Sequence, residues 1–262
     1  MLIPLDALSD ARLDDYRNVP DGDLLRRRGI FVAEGRLVVR RLLESPRLRT
    51  RSVMVTQAAY DAMASAFDRS PDLPIYLVRQ EAMNEITGFN IHRGCLAIGE
   101  RPAAGSWTAL VAHASRVVVL ERMSNADNVG GIFRSAAAFG ADGVLIGPAC
   151  ADPLYRKAIR TSMGAALRVP FASMSEWPDD LGRLRAAGFR LLALTPDADA
   201  TPLMDLNLAG PSAVLVGHEG EGLSREALAA ADVRVRIPMA DGTDSLNAAT
   251  AASIALYELS RQ

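Results

Sequence analysis

Two hydrophobic patterns alternate along this 262-residue chain. Short β-branched runs recur between longer stretches whose apolar positions lie three and four residues apart, which predicts strands interleaved with helices. In the first hundred residues, Phe31, Val32, Leu37, Val38, Leu42 and Leu43 fall near helical spacing, so 31–45 is expected as a helix. Residues 51–56, 74–78 and 94–100 read as strands, and 57–67 and 79–86 as helices. A segment rich in Pro, Ala, Gly and Ser, 101–107, reads as a linker. The alternation then restarts, with strands expected at 116–121, 143–147, 169–174, 189–195, 212–217 and 233–238. Helices are expected over about 129–139, 157–167, 179–188 and 224–232, with a last one from 245 onward. Gly188 is placed as a C-cap, and Ser224 and Ser245 as N-caps.

Strands alternating with helices indicate an α/β fold with a mainly parallel sheet. Two domains are expected: a small α/β domain over 1–105 and a larger one over 106–262. Composition agrees with a globular chain, 49% hydrophobic and 23% charged. No apolar run reaches the roughly 18 residues needed to span a bilayer. The N-terminal residues lack a basic stretch followed by an apolar one, so a cytoplasmic location is expected. Cys95 and Cys150 form no CxxC pair, and neither a disulfide framework nor a metal site is expected.

Net charge is −2, which by itself does not point to nucleic acid. The basic residues are almost all arginine, and several cluster: Arg26, Arg27, Arg28, Arg36, Arg40, Arg41, Arg47, Arg49 and Arg51. Such a run suits a phosphate-contacting face or, equally, an ordinary solvated helix face.

Three segments carry candidate chemistry. Asn128 to Ala136 (NVGGIFRSA) follows a β-branched strand and opens a helix. It places Arg134 among small and apolar residues, where a guanidinium needs a partner: a carboxylate such as Glu219, or a substrate. Gly217 to Ser224 (GHEGEGLS) follows an apolar strand, at the end of a parallel sheet where α/β folds bind ligands. Its G-x-x-G-x-G spacing is not the dinucleotide fingerprint, and a plain glycine-rich turn stays open beside a ligand loop. His218 reads as a surface residue. The third segment runs from Ile237-Pro238-Met239 through Gly242 to Ser245-Leu246-Asn247, where the last helix begins.

Together, in this order and spacing, the three segments resemble the SpoU (TrmH-like) family of RNA 2′-O-ribose methyltransferases within the SPOUT superfamily. The resemblance spans nearly the whole chain and is most specific over 116–260. Where the family helix start reads SLNVS, this chain has SLNAAT, a change confined to packing positions. The resemblance implies a SPOUT-type C-terminal domain with a deep trefoil knot, joined to an N-terminal RNA-binding α/β domain. It implies S-adenosylmethionine as cofactor, held at Gly217, Gly222, Ile237 and Leu246. It implies Arg134 as the catalytic arginine, oriented with the nucleotide by Asn128, Glu219, Ser245 and Asn247. The substrate class it implies is structured RNA, ribosomal RNA favoured over transfer RNA, with no metal. It further implies a homodimer, with Leu256 and Tyr257 as candidate interface residues. An RNA- or ribosome-binding protein without catalysis and a nucleotide-dependent oxidoreductase are the competing classes; the second lacks a dinucleotide fingerprint.

Overall fold

A computed structural model describes residues 1–5, 8–17, 21–88, 90–91, 93–243 and 245–261. The chain divides into two compact units, Met1–Ala103 with Leu154–Arg168, and Ala104–Pro153 with Val169–Gln262. Residues 154–168, placed in the larger domain by the sequence reading, thus group with the N-terminal unit.

The N-terminal part runs β1 (Leu2–Pro4), α1 (Asp21–Asp23), β2 (Ile30–Glu34), α2 (Arg36–Leu43), β3 (Thr50–Val55), α3 (Gln57–Phe67), β4 (Ile75–Leu77), α4 (Gln80–Thr87) and β5 (Cys95–Glu100). After the linker come α5 (Trp107–Val111), β6 (Arg116–Leu120), α6 (Ala126–Ala138), β7 (Gly143–Ile146), α7 (Arg156–Thr161), β8 (Phe171–Ser173), α8 (Asp179–Ala186) and β9 (Arg190–Leu194). The chain closes with β10 (Thr201–Pro202), β11 (Ser212–Val216), α9 (Arg225–Ala230), β12 (Val233–Arg236) and α10 (Ala248–Leu259).

In the first unit, five strands form a mixed sheet in the order β1-β4-β3-β5-β2. The helix expected over 31–45 is corrected here. Ile30–Glu34 is a strand, antiparallel to β5, and only Arg36–Leu43 is helical. Ile30, Phe31, Val32 and Ala33 are all buried, so sheet pairing overrides their near-helical spacing. Gly35, at φ 92, makes the sharp change of direction between the two elements. The helix expected over 157–167 also breaks, after Thr161. Met163 and Gly164 take left-handed φ values of 54 and 80, and Ala165–Leu167 continues as a short 3-10 turn.

Most of the clustered arginines are engaged within this unit. Arg27 pairs with Asp23, Arg28 and Arg51 with Asp15, and Arg49 with Glu100. Arg26 donates to the Gly22 carbonyl, Arg41 to that of Met163 and Arg47 to that of Arg168. Among the described residues, Arg36 and Arg40 alone of the run have no such partner.

In the second unit, seven strands form a fully parallel sheet in the order β10-β12-β9-β11-β6-β7-β8. After their first residues, Arg116 and Ser212, the central strands β6 and β11 are apolar and buried, as a sheet covered on both faces requires. One core cluster joins Val117, Val119, Leu145, Leu191 and Leu215 to Leu181, Leu184 and Trp107 from the helices. Phe133 of α6 is fully buried and meets Phe171 edge-on, with ring centroids 5.8 Å apart. Burying one such side chain contributes roughly 1.5–3 kcal/mol. Ser224 caps α9 as expected, accepting from Ala227 N at 3.1 Å. Gly188, at φ 92, lies just past the end of α8. Among the described residues no helix is long and apolar enough to cross a membrane.

Candidate active site

β12, β9 and β11 are neighbours in the sheet, so their carboxyl ends open onto the same edge. The segments leaving them, 195–197 after β9, 217–223 after β11, and Ile237 and Met239 after β12, line a cavity of about 440 Å³. Ser245, Leu246, Ala248 and Ala251, at and before the start of α10, complete the wall. That volume lies in the range of small-molecule sites, roughly 300–1,000 Å³. Leu194, Val216, Val235 and Ile237 supply apolar surface, and Asp197, Glu219 and Glu221 supply carboxylates. The contribution of the segment after β9 was not foreseen from sequence. Its only signal was Thr195-Pro196-Asp197 at the end of an apolar strand.

The glycine-rich loop has a definite shape. His218 and Gly222 form a reciprocal backbone bridge, with His218 N donating at 3.0 Å and Gly222 N at 2.9 Å. Inside that bridge, His218 Nδ1 accepts from the backbone of Gly220 at 3.0 Å and of Glu221 at 3.2 Å. His218, set aside on sequence as a surface residue, therefore organises the tip. Gly222 sits at φ 69, where a side chain is disfavoured. Gly217 is under a different constraint: a Cβ there would overlap the Gly222 carbonyl and the Leu223 nitrogen.

Two residues that sequence reading missed hold this loop from the end of β6. Glu121 is buried, and its carboxylate accepts from Ser224 N at 2.8 Å. Arg122, at φ 56, forms an ion pair with Glu221. A left-handed conformation costs a non-glycine residue roughly 1–2 kcal/mol. A carboxylate directly after the apolar run RVVVL was the available clue to Glu121.

α6 and α10 pack closely beside the cavity. Asn125 caps α6, accepting from Asp127 N at 2.9 Å. Asn247, not Ser245, caps α10: its Oδ1 accepts from Ala249 N at 3.0 Å and Thr250 N at 3.2 Å. The expected cap at Ser245 is thus two residues early, because the chain stays non-helical through Leu246. The Asn247 Nδ2 donates to Asn128 Oδ1 at 2.9 Å, joining the two helices. A Cβ on Gly131 would lie 2.8 Å from that of Ala249, and the Ser135 and Ser253 hydroxyls meet at 2.5 Å. Small and hydroxylic side chains thus allow the close approach.

Of the residues proposed on sequence, Gly217, Glu219, Gly222, Ile237, Ser245 and Leu246 line the cavity. Asn128 and Asn247 are brought together, and the buried Asn128 Nδ2 has no partner. A buried donor of this kind calls for a water or ligand acceptor. Arg134 lies on α6, six residues or about 9 Å along the axis from Asn128. It is exposed rather than enclosed by small residues, and it makes no hydrogen bond or ion pair among the described residues. The salt bridge to Glu219 is not formed. Leu256 is fully buried inside the unit, which removes it from a subunit interface, whereas Tyr257 is 49% exposed.

Comparison with known proteins decides the family. Residues 115–257 match the model of the SpoU rRNA Methylase family. The chain belongs to the SpoU rRNA methylase family. A Mycobacterium bovis protein named as an uncharacterized tRNA/rRNA methyltransferase is 43% identical over 259 residues, covering 96% of this chain and 89% of that protein. The AdoMet-bound rRNA methyltransferase from Sinorhizobium meliloti superposes with a TM-score of 0.85 at 25% identity, covering 99% of this chain and 98% of that one. A structure described as an RNA 2′-O ribose methyltransferase superposes with a TM-score of 0.78 at 26% identity, covering 100% and 99%. The family match spans every proposed site residue, and the likeness to these two solved structures covers the N-terminal unit as well.

Proposed function

We propose that this SpoU-family protein transfers the methyl group of S-adenosylmethionine to a ribose 2′-hydroxyl of a structured RNA, ribosomal RNA in preference to transfer RNA. The family description and the Sinorhizobium meliloti neighbour support ribosomal RNA, and the neighbour described as a 2′-O ribose methyltransferase supports the acceptor atom. The cavity suits the cofactor: backbone amides and carbonyls of the glycine-rich loop on one side, and apolar walls from Leu194, Val216, Val235 and Ile237 for a flat base. Gly217, Gly222, Ile237 and Leu246 would hold it there. Bound there, S-adenosylmethionine supplies an electrophilic methyl group on a sulfonium.

The protein's own part is positioning and charge stabilisation, which can supply on the order of 7–11 kcal/mol in well-oriented systems. The observation that carries this reading is the exposed Arg134, unpaired among the described residues, on the helix bonded through Asn128 to the wall of the cavity. A guanidinium carries only N–H donors and no acceptor for a proton, which makes it a poor base. Arg134 would instead hold the phosphate beside the reacting nucleotide and stabilise the developing alkoxide. Asn128, Glu219, Ser245 and Asn247 would orient it and the nucleotide.

The same reading gives RNA binding to the N-terminal unit, where Arg36 and Arg40 are unengaged among the described residues. It makes the protein a homodimer through the α10 surface bearing Ile254 and Tyr257, and knots the C-terminal chain as the resemblance implies. The test is methyl transfer from labelled S-adenosylmethionine to separate pools of unmodified ribosomal and transfer RNA. Incorporation into ribosomal RNA is expected; transfer confined to transfer RNA overturns the preference, and cofactor binding without transfer to either overturns catalysis.

A further inference from the structure

The left-handed turn at Arg122 is fixed without its side chain. Arg122 N donates to the Pro148 carbonyl at 2.8 Å, Ser124 N to the Arg122 carbonyl at 2.9 Å, and Ala151 N to the Met123 carbonyl at 2.8 Å. Glycine would take φ 56 at lower cost. The arginine instead directs its guanidinium to Glu221, on the loop that lines the cavity. Its neighbour Glu121 holds the far end of the same loop through Ser224 N. Two consecutive residues thus grip the loop at its tip and at its end, one by an exposed ion pair and one by a buried hydrogen bond.

We propose that Arg122 is a positioning residue for cofactor binding: through Glu221 it holds the tip of the 218–222 turn in the shape that receives S-adenosylmethionine. The inference rests on the proposal that this cavity takes that cofactor. Arg122 itself is not among the cavity-lining residues, so its effect passes through Glu221. Because both partners are exposed, the latch is modest and weakens with salt.

The experiment is calorimetric titration of the full-length protein with S-adenosylmethionine, together with thermal unfolding of the cofactor-free protein. Failure of the wild type to bind refutes the cofactor reading itself and leaves the latch nothing to position. If the wild type binds, Arg122→Gly is expected to weaken affinity about two- to fivefold, the scale of an exposed ion pair. Its unfolding temperature should hold or rise, since strain is removed. Glu221→Gln should weaken binding similarly and add nothing in the Arg122→Gly background, and the swap Arg122→Glu with Glu221→Arg should restore most of the affinity. Raising salt should weaken the wild type more than Arg122→Gly. Unchanged affinity in Arg122→Gly, or additive losses in the double variant, overturns the proposal; additivity would mean that Glu221 touches the cofactor directly.

Discussion

The Asn247 side chain bonds at both ends: its Nδ2 donates to Asn128 Oδ1 at 2.9 Å, and its Oδ1 caps α10 through Ala249 and Thr250. One amide therefore fixes where the last helix begins and ties that start to α6, the helix carrying Arg134. Asn247→Ala removes a cap worth typically ~1 kcal/mol and leaves the buried Asn128 amide unpaired, which costs a further 1–3 kcal/mol or so. A loss of about 2–4 kcal/mol in urea unfolding is expected. Asn247→Asp keeps the cap, and Asn128 can turn its amide to donate to the new carboxylate, so a loss under about 1 kcal/mol is expected.

Gly131→Ala sets two effects against each other. Helix propensity favours alanine by roughly 0.8–1 kcal/mol. The new Cβ would stand 2.8 Å from that of Ala249, closer than packed carbons allow, and forced shifts in a packed interface cost roughly 1–3 kcal/mol. Overpacking wins, and Gly131→Ala is expected to lower the urea midpoint. A rise would show that α6 and α10 separate freely.

Gly217→Ala strikes backbone rather than side chain, because the added carbon meets the Gly222 carbonyl and the Leu223 nitrogen. Neither can move without opening the His218–Gly222 bridge. Loss of measurable S-adenosylmethionine binding by calorimetry is expected, with the rest of the unit folded by circular dichroism.

Burial pushes the Cys150 thiol up to about 11 and the Cys95 thiol up to about 12, from an ordinary value of 9.0. Folding therefore favours their protonated forms. This contribution is complete below pH 9.0 and is lost as pH rises through about 11 and 12, so alkaline conditions destabilise the fold. At pH 8 both thiols should react with a disulfide reagent at least about a hundredfold more slowly than in urea, since the thiolate attacks. A fast-reacting thiol in the folded protein would contradict the packing around it.

Six of the seven strands of the parallel sheet were legible because they are short, β-branched and bounded by turn residues, and RVVVL and SAVLV fall where the pattern places them; β10, two residues long with a proline, was not. The run Ile30–Glu34 was not, because its neighbour β5 lies more than sixty residues away and local spacing does not register that pairing. The candidate site was legible as three motifs. Its supports were not: Glu121, Arg122 and the His218 ring act through contacts that only the folded loop creates. The partners of the arginine cluster were hidden for the same reason, since carbonyls and carboxylates distant in sequence engage Arg41, Arg47 and Arg49.

The most direct test of the central claim compares wild type with Arg134→Ala on unmodified ribosomal RNA and locates the methyl group by resistance to alkaline cleavage, which requires a free 2′-hydroxyl. One protected position is expected with the wild type and none with Arg134→Ala, while both bind S-adenosylmethionine within about twofold. Methylation of a base, or undiminished 2′-O transfer by Arg134→Ala, would contradict it.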